Sequence, residues 1–179
     1  MFDERGQLFA LEGLLAALVV LAGIVFAFQA TVLTPSTSGA TAAPVDTSTV
    51  DSVLTEASKN GQLQTALVDD WDTASFSGAT GEWYADAYPP NPFGRALKQS
   101  FGSTVVVNVV IHYRKPTEGE QQTRLIYNGV PGDGAMRAST TLPLYDRDVS
   151  DPGEFYAKDV SPGTELYNVL EVEVVAWQG

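Results

Sequence analysis

His112 is the only histidine of this 179-residue chain, and it is the first side chain to consider for acid–base chemistry. An imidazole titrates near neutral pH, which suits a general base or a metal ligand. Here, however, it shares a mixed strand face with Arg114, where a solvated histidine is more common than a catalytic one. The chain also lacks the Gly-X-Ser-X-Gly elbow of many hydrolases. We therefore predict no catalytic residue and no enzyme activity, and an exported hydrolase is the least favoured alternative.

A run of carboxylates in residues 146–159 is the best candidate for a metal site. Carboxylate oxygens are the ligands that Ca²⁺ prefers, but the spacing of this run does not match an EF-hand loop. In so acidic a chain, the pattern favours a solvated acidic loop. We predict no metal and no other cofactor, with cation binding at this run as the open alternative. The carboxylates are Asp146, Asp148, Asp151, Glu154 and Asp159.

Glu12 has the most unusual surroundings of any carboxylate, because residues 13–33 that follow it carry no charge. A carboxylate at the centre of a membrane-spanning helix costs about 2.5 to 3.5 kcal/mol, so such acids usually have a partner. Two interpretations remain open. Glu12 pairs with a cation in an assembly, or it lies near the membrane surface and extends to the lipid headgroups.

The segment that carries Glu12 is long enough to cross a membrane. As a helix at about 1.5 Å per residue, residues 7–33 would extend on the order of 40 Å, against a hydrocarbon core of about 30 Å. A cleaved secretory signal has a basic start and an apolar region of about 7 to 15 residues, which disfavours that interpretation here. We predict a transmembrane helix over residues 7–33, preceded by a charged leader over residues 1–6.

This N-terminus resembles that of archaeal type IV pilins and archaellins, whose precursors carry a prepilin-type (class III) signal. The resemblance lies in Arg5-Gly6-Gln7 and in the run from Leu8 to Glu12. It implies that a prepilin-type peptidase cuts at the site formed by Gly6 and Gln7, either after Gly6 or after Gln7. It also implies that Glu12 is an assembly contact, paired with the freed N-terminal amine of a neighbouring pilin-like subunit.

Beyond the apolar segment, residues 34–48 are rich in Ser, Thr, Pro and Ala and predict a linker. Residues 49–179 then have the length of one domain. Apolar spacing predicts short helices, and alternating β-branched residues predict strands. The predicted fold class is α+β: a long N-terminal hydrophobic helix, then a small head of short helices and an antiparallel sheet. The predicted strands are residues 104–114, 123–128, 137–145 and 165–178.

Charge and cysteine content limit the function classes further. The chain has 22 acidic and 10 basic residues, a net charge of −12, which opposes nucleic-acid binding. Such acidity resembles proteins of halophilic archaea, where salt screens the repulsion between like charges. An acidic cation-binding surface is the alternative. Because there is no cysteine, disulfides and thiolate metal sites are excluded.

Together these features predict a non-enzymatic, single-pass cell-surface protein with its C-terminal head outside the cell. The first hypothesis is a pilin-like structural or minor subunit of an archaeal type IV pilus-like filament or of its assembly machinery. Its expected partners are membrane lipid, a prepilin-type peptidase and pilin-like subunits, in homo- or hetero-oligomers. The alternative is a single-pass membrane protein whose extracellular domain binds an unidentified ligand outside any filament.

Overall fold

In a computed structural model of the chain, residues 46–72, 74–80 and 83–179 are described, together with Ala16, Ala17 and Val20. The chain divides into two units, Met1–Ala42 and Ala43–Gly179. The boundary falls inside the predicted linker. The second unit is a small α+β head with an antiparallel sheet, so this part of the predicted fold class is confirmed.

The head begins with two helical elements. Helix α1, Thr47–Lys59, starts after Asp46, whose side chain accepts a hydrogen bond from the Ser48 backbone N–H at 3.0 Å. The Asp46 carboxylate is therefore the N-cap of this helix. A short helix α2, Gln62–Gln64, continues into a π-helical turn, Thr65–Asp69. One face of α1 is buried and places Val50, Val53, Leu54 and Ala57 in the core.

Helix α3 spans Pro92–Phe101. Three of the four residues before Phe93 are prolines, which interrupt regular structure in most positions. Pro92, however, occupies the first turn of the helix, where its missing N–H costs no hydrogen bond. Asn91 precedes it, and its side-chain oxygen accepts a hydrogen bond from the Gly94 N–H at 2.8 Å.

Among the described residues, six strands complete the head. A two-stranded ribbon consists of β1, Trp71–Asp72, and β2, Ser75–Phe76. The main sheet has four antiparallel strands in the order β4-β3-β6-β5. Their bounds are β3, Val105–Lys115; β4, Gly119–Ile126; β5, Met136–Tyr145; and β6, Leu166–Gln178. A 3-10 turn, Asp146–Asp148, follows β5.

The core lies between the helices and one face of the main sheet. Alternate residues of β3, including Val107, Val109 and Ile111, are buried there. On β6, Leu170, Val172, Val174 and Ala176 point the same way and belong to the same buried cluster as the helix residues. The alternation was predicted because successive side chains of a strand point to opposite faces.

The predicted fold class is wrong in its first element. It placed a long apolar helix ahead of the head, but no helix in the described part of the chain is long and apolar enough to cross a membrane. The longest of these, α1, has 13 residues and carries charges on its exposed side, whereas a span needs about 20 apolar residues. Of residues 7–33, only Ala16, Ala17 and Val20 are described, as helical, and the rest of that prediction lies outside the described residues.

An aromatic cluster joins the ribbon, the sheet and the loop before β6. The Tyr156 ring contacts those of Trp71, Phe76 and Tyr113, with centroids 4.9, 5.4 and 5.3 Å away. Its hydroxyl donates a hydrogen bond to the Leu67 carbonyl at 3.2 Å. Burial raises the pKa of the Tyr156 hydroxyl well above its ordinary value of 10.0, and the neighbouring Tyr113 raises it further.

Tyr156→Phe is expected to make the head less sensitive to alkaline pH. Because the folded-state pKa is raised, the tyrosine's contribution to stability is complete below about pH 10 and is lost as pH rises through the folded-state pKa. The variant keeps the ring but cannot ionise, so its free energy of unfolding should fall less steeply above pH 10. At pH 7 it should be about 1 kcal/mol less stable because a hydrogen bond is lost.

Denaturant unfolding between pH 7 and 11 measures both effects, with the half-exposed Tyr127→Phe as the control. Identical slopes for wild type and Tyr156→Phe above pH 10 would contradict the prediction.

Candidate functional site

The face of the main sheet opposite the helices is the best candidate for a functional surface, and we call it the open face. The strand register places its side chains in rows across the sheet. One row contains Gln122, His112, Glu171 and Thr141. The open face consists of Glu120, Gln122 and Arg124 of β4; Val106, Asn108, Val110, His112 and Arg114 of β3; Val169, Glu171, Glu173, Val175 and Trp177 of β6; and Arg137, Ser139, Thr141 and Pro143 of β5.

One end of the open face is covered by the connection between β4 and β5. Asn108 is buried there, and its amide donates to the Gly129 carbonyl at 2.8 Å while its oxygen accepts from the Asn128 N–H at 2.7 Å. The Asn128 side chain in turn donates to the Val107 carbonyl at 2.7 Å. Gly132 packs against Trp177, where an added Cβ would lie 3.3 Å from the indole. These contacts leave the remainder of the face as the accessible surface.

His112 lies in that accessible part, between two carboxylates. Its Nε2 is 3.7 Å from Glu173 Oε2, and its Nδ1 is 4.0 Å from Glu120 Oε1. Glu173 also accepts a hydrogen bond from Arg137 at 2.9 Å. In the part of the chain that the structure describes, no hydroxyl side chain is hydrogen-bonded to the His112 ring. Arg137 and Glu173 therefore form a partly exposed ion pair that contributes on the order of 0 to 1 kcal/mol, and His112 lies beside this pair.

A shallow depression of about 380 Å³ opens beside His112. Val169 is 44% exposed there, the only strongly exposed apolar side chain in its lining. Small-molecule sites are mostly concave and apolar, with few polar groups. This depression instead mixes charges of both signs, which suits a polar macromolecular contact. Its lining consists of His112, Tyr113, Arg114, Glu120, Thr141, Val169 and Glu171.

The open face is balanced in charge, whereas the head as a whole is strongly acidic. Beyond residue 33 the chain has 19 acidic and 9 basic residues. On the open face, three glutamates lie among three arginines. Neighbouring strands therefore present opposite charges to each other, and Glu120 lies directly opposite Arg114. The sequence could not indicate this balance, because it depends on which strands are neighbours.

The acidic run 146–159 uses its carboxylates to hold its own loop together. Asp148 accepts a hydrogen bond from the Tyr145 N–H at 2.9 Å, and Asp151 accepts from the Gly153 N–H at 3.0 Å. Asp159 accepts from the Ser161 N–H at 2.8 Å. Among the described residues, no group of three or more His, Asp or Glu side chains is arranged to hold a metal ion. The Asp-X-Gly and Asp-X-Ser spacings are the signal that could have predicted these turns.

The three site residues predicted from the N-terminus lie outside the described residues. They are Gly6 and Gln7 of the processing site and Glu12 of the assembly contact. The residues that sequence reasoning missed are Asn108 and Asn128, which hold the connection on the sheet, and Glu173, which links His112 to Arg137.

Comparison with known proteins gives one match. A family model described as a family of unknown function (DUF7288) matches residues 5–176. No curated protein and no solved structure matches the chain. The matched range includes Gly6, Gln7 and Glu12 as well as nearly the whole head.

Proposed function

The chain belongs to the family of unknown function DUF7288, and we propose that it is a non-enzymatic, membrane-anchored cell-surface protein of the pilin-like class. In this proposal it is a structural or minor subunit of an archaeal type IV pilus-like filament or of its assembly machinery. The observation that carries the proposal is the order of features at the N-terminus. Arg5-Gly6-Gln7 precedes Glu12, and residues 13–33 are uncharged.

The physical chemistry of Glu12 supports an assembly role. A carboxylate beside a long uncharged segment is poorly solvated when that segment enters lipid, so a cationic partner stabilises it. A cut at Gly6 or Gln7 creates a new amine a few residues away along the chain. In an assembly, this amine would be the nearest cation that a neighbouring subunit can supply.

The properties of the head are consistent with a surface role. Residues 46–72, 74–80 and 83–179 include a buried core, and the chain contains no cysteine that could form a disulfide. The excess of acidic residues favours solubility through repulsion between molecules. His112, the residue first considered for acid–base chemistry, lies between Glu120 and Glu173. This arrangement supports a contact surface rather than a catalytic centre.

A second candidate function is a membrane-anchored receptor-like protein that takes no part in a filament. The depression beside His112 favours it, because exposed Val169 lies there among charges of both signs. The two candidates differ in the leader. A filament subunit needs the leader cut and Glu12, whereas a receptor needs neither.

Gly6→Val is expected to block removal of the leader, because a branched side chain would occupy the position before the cut bond. Intact-mass analysis of the protein recovered from the membranes of its native cells should show a wild-type chain beginning at Gln7 or Leu8. The variant should begin at Met1. Gly13→Val, outside the processing site, is the matched control and should be cut normally.

Glu12→Gln should be cut like wild type but be absent from filaments sheared from the cell surface, since the amide cannot pair with the amine as a charge. A wild-type chain that keeps Met1 would overturn the filament proposal in favour of the receptor. A chain beginning near Thr41 would mean ordinary secretion and would overturn both proposals.

A further inference from the structure

Strand β5 is an exposed edge of the main sheet. In an edge strand, every second residue directs its N–H and C=O away from the sheet, where another strand can pair with them. Outside helices and strands, no backbone hydrogen bond between described residues reaches residues 136–144. The opposite edge is partly covered, since the Ala85 N–H donates to Leu125 and the Ala85 carbonyl accepts from Tyr127. The two edges of the sheet therefore differ in accessibility.

Edge strands usually carry charges, prolines or bulges that prevent pairing with other molecules. In β5 these protections are Arg137 near its N-terminal end and, at its C-terminal end, Pro143 and a register shift between Leu144 and Tyr145. From residue 136 to residue 142 the only charge is Arg137. Strand β4, by comparison, carries Glu120 and Arg124 within eight residues. The five residues 138–142 carry neither charge nor proline, a length that suffices for pairing with another strand.

The inner side of β5 is only partly covered by the helices. Met136, Ala138 and Leu142 are partly buried against the core. The Thr47 hydroxyl of α1 lies 3.1 Å from the Met136 sulfur. A strand added beside β5 would cover apolar surface at these three positions as well as the free backbone groups.

We propose that β5 pairs with β5 of a second copy of this chain, in antiparallel orientation, so that one sheet continues across two heads. The distribution of charge on the head favours a second copy as the partner of β5. The head carries a large excess of acidic residues, so two copies repel each other wherever acids meet. Residues 134–145 contain no acid, and two heads can approach there without opposing carboxylates.

The distribution of side chains along β5 selects the antiparallel orientation. Parallel pairing in register would place Arg137 opposite Arg137, which is destabilising. Antiparallel pairing about Ser139 places Arg137 opposite Thr141 and brings Ser139 of the two copies together. Threonine and serine pairs across strands are favourable. Such a two-fold contact is self-complementary and closes as a dimer.

The proposal is independent of leader cutting and of filaments, and it applies equally to an anchored receptor. A contact through one strand is small, so its strength depends on local concentration. Tethering both copies to one membrane supplies concentrations in the millimolar range. We therefore expect the dimer on the cell surface rather than in dilute solution.

Because the chain has no cysteine, a single introduced cysteine reports the contact directly. Ser139→Cys in the full chain should form a disulfide-linked dimer when cells are mildly oxidised. Paired strands bring opposite Cα atoms to about 4.5 to 5.5 Å, within disulfide range. Gln122→Cys, exposed on the other edge strand, is the matched control and should cross-link at least about tenfold less, a difference equivalent to about 1.4 kcal/mol.

A second pair of variants tests the same contact by repulsion. With the Ser139→Cys reporter kept, Thr141→Lys puts a lysine opposite Arg137 of the other copy in the dimer but opposite Glu171 within each head. The dimer fraction should fall about tenfold, whereas adding Gln122→Lys instead should leave it unchanged. Equal cross-linking at positions 139 and 122, or a cross-linked product of any mass other than twice that of the chain, would overturn the proposal.

Discussion

Gly94→Ala is expected to lower the free energy of unfolding of the head by about 3 kcal/mol, with complete loss of folding as the extreme outcome. Gly94 is buried in the first turn of α3. A Cβ at this position would overlap the Pro89 carbonyl oxygen and lie 2.8 Å from the Pro89 nitrogen. These are backbone atoms, so relief requires the chain before the helix to move.

Helix propensity alone predicts that Gly94→Ala would raise the free energy of unfolding. In a helix interior, alanine is favoured over glycine by about 0.5 to 1 kcal/mol because glycine loses more backbone freedom on folding. The backbone angles of Gly94 are not in the left-handed region, so nothing local requires glycine. We therefore expect Gly94→Ala to lower the free energy of unfolding only because the Pro89 segment lies so close to the helix.

Urea unfolding monitored by tryptophan fluorescence measures this effect in the full chain. Ser100→Ala, exposed near the end of the same helix, is the control and should change the free energy of unfolding by less than about 0.5 kcal/mol. A Gly94→Ala protein as stable as wild type would show that the Pro89 segment does not pack against the helix.

Asn168→Ala is expected to destabilise the head by about 2 to 4 kcal/mol, the sum of lost hydrogen bonds and of partners left unpaired in the interior. Asn168 is 1% exposed on β6. Its amide nitrogen donates to the carbonyls of Arg114 and Lys158, both at 2.8 Å. The side chain thereby joins the end of β3, strand β6 and the loop that leads into β6.

The matched control is Asn60→Ala. Asn60 is exposed and donates to Glu56 within α1 and the turn after it, so water can replace its partner at little cost. Thermal unfolding of both variants should give a large fall in melting temperature for Asn168→Ala and a small one for Asn60→Ala. Equal shifts would contradict the assigned role of the buried amide.

Sequence reasoning was most accurate for β3, β5 and β6, whose ends were predicted to within one residue. Strand β3 consists largely of β-branched residues, and in β6 the acidic Glu171 and Glu173 alternate with the apolar Leu170, Val172 and Val174. It was least accurate for β4, which begins at Gly119 instead of the predicted Thr123. The residues Glu120, Gln121 and Gln122 have no apolar alternation, and only pairing with β3 makes them a strand.

By itself, the sequence determined the properties that depend on local composition. These are the acidity of the chain, the absence of cysteine, the uncharged segment before the linker, and the faces of the central strands. Tertiary structure decided the rest, because those features depend on contacts between residues distant along the chain. The order of the strands in the sheet makes β5 an edge strand and places glutamates and arginines side by side on the open face. Folding also brings the Arg114 and Lys158 carbonyls to Asn168, and the Pro89 backbone to Gly94.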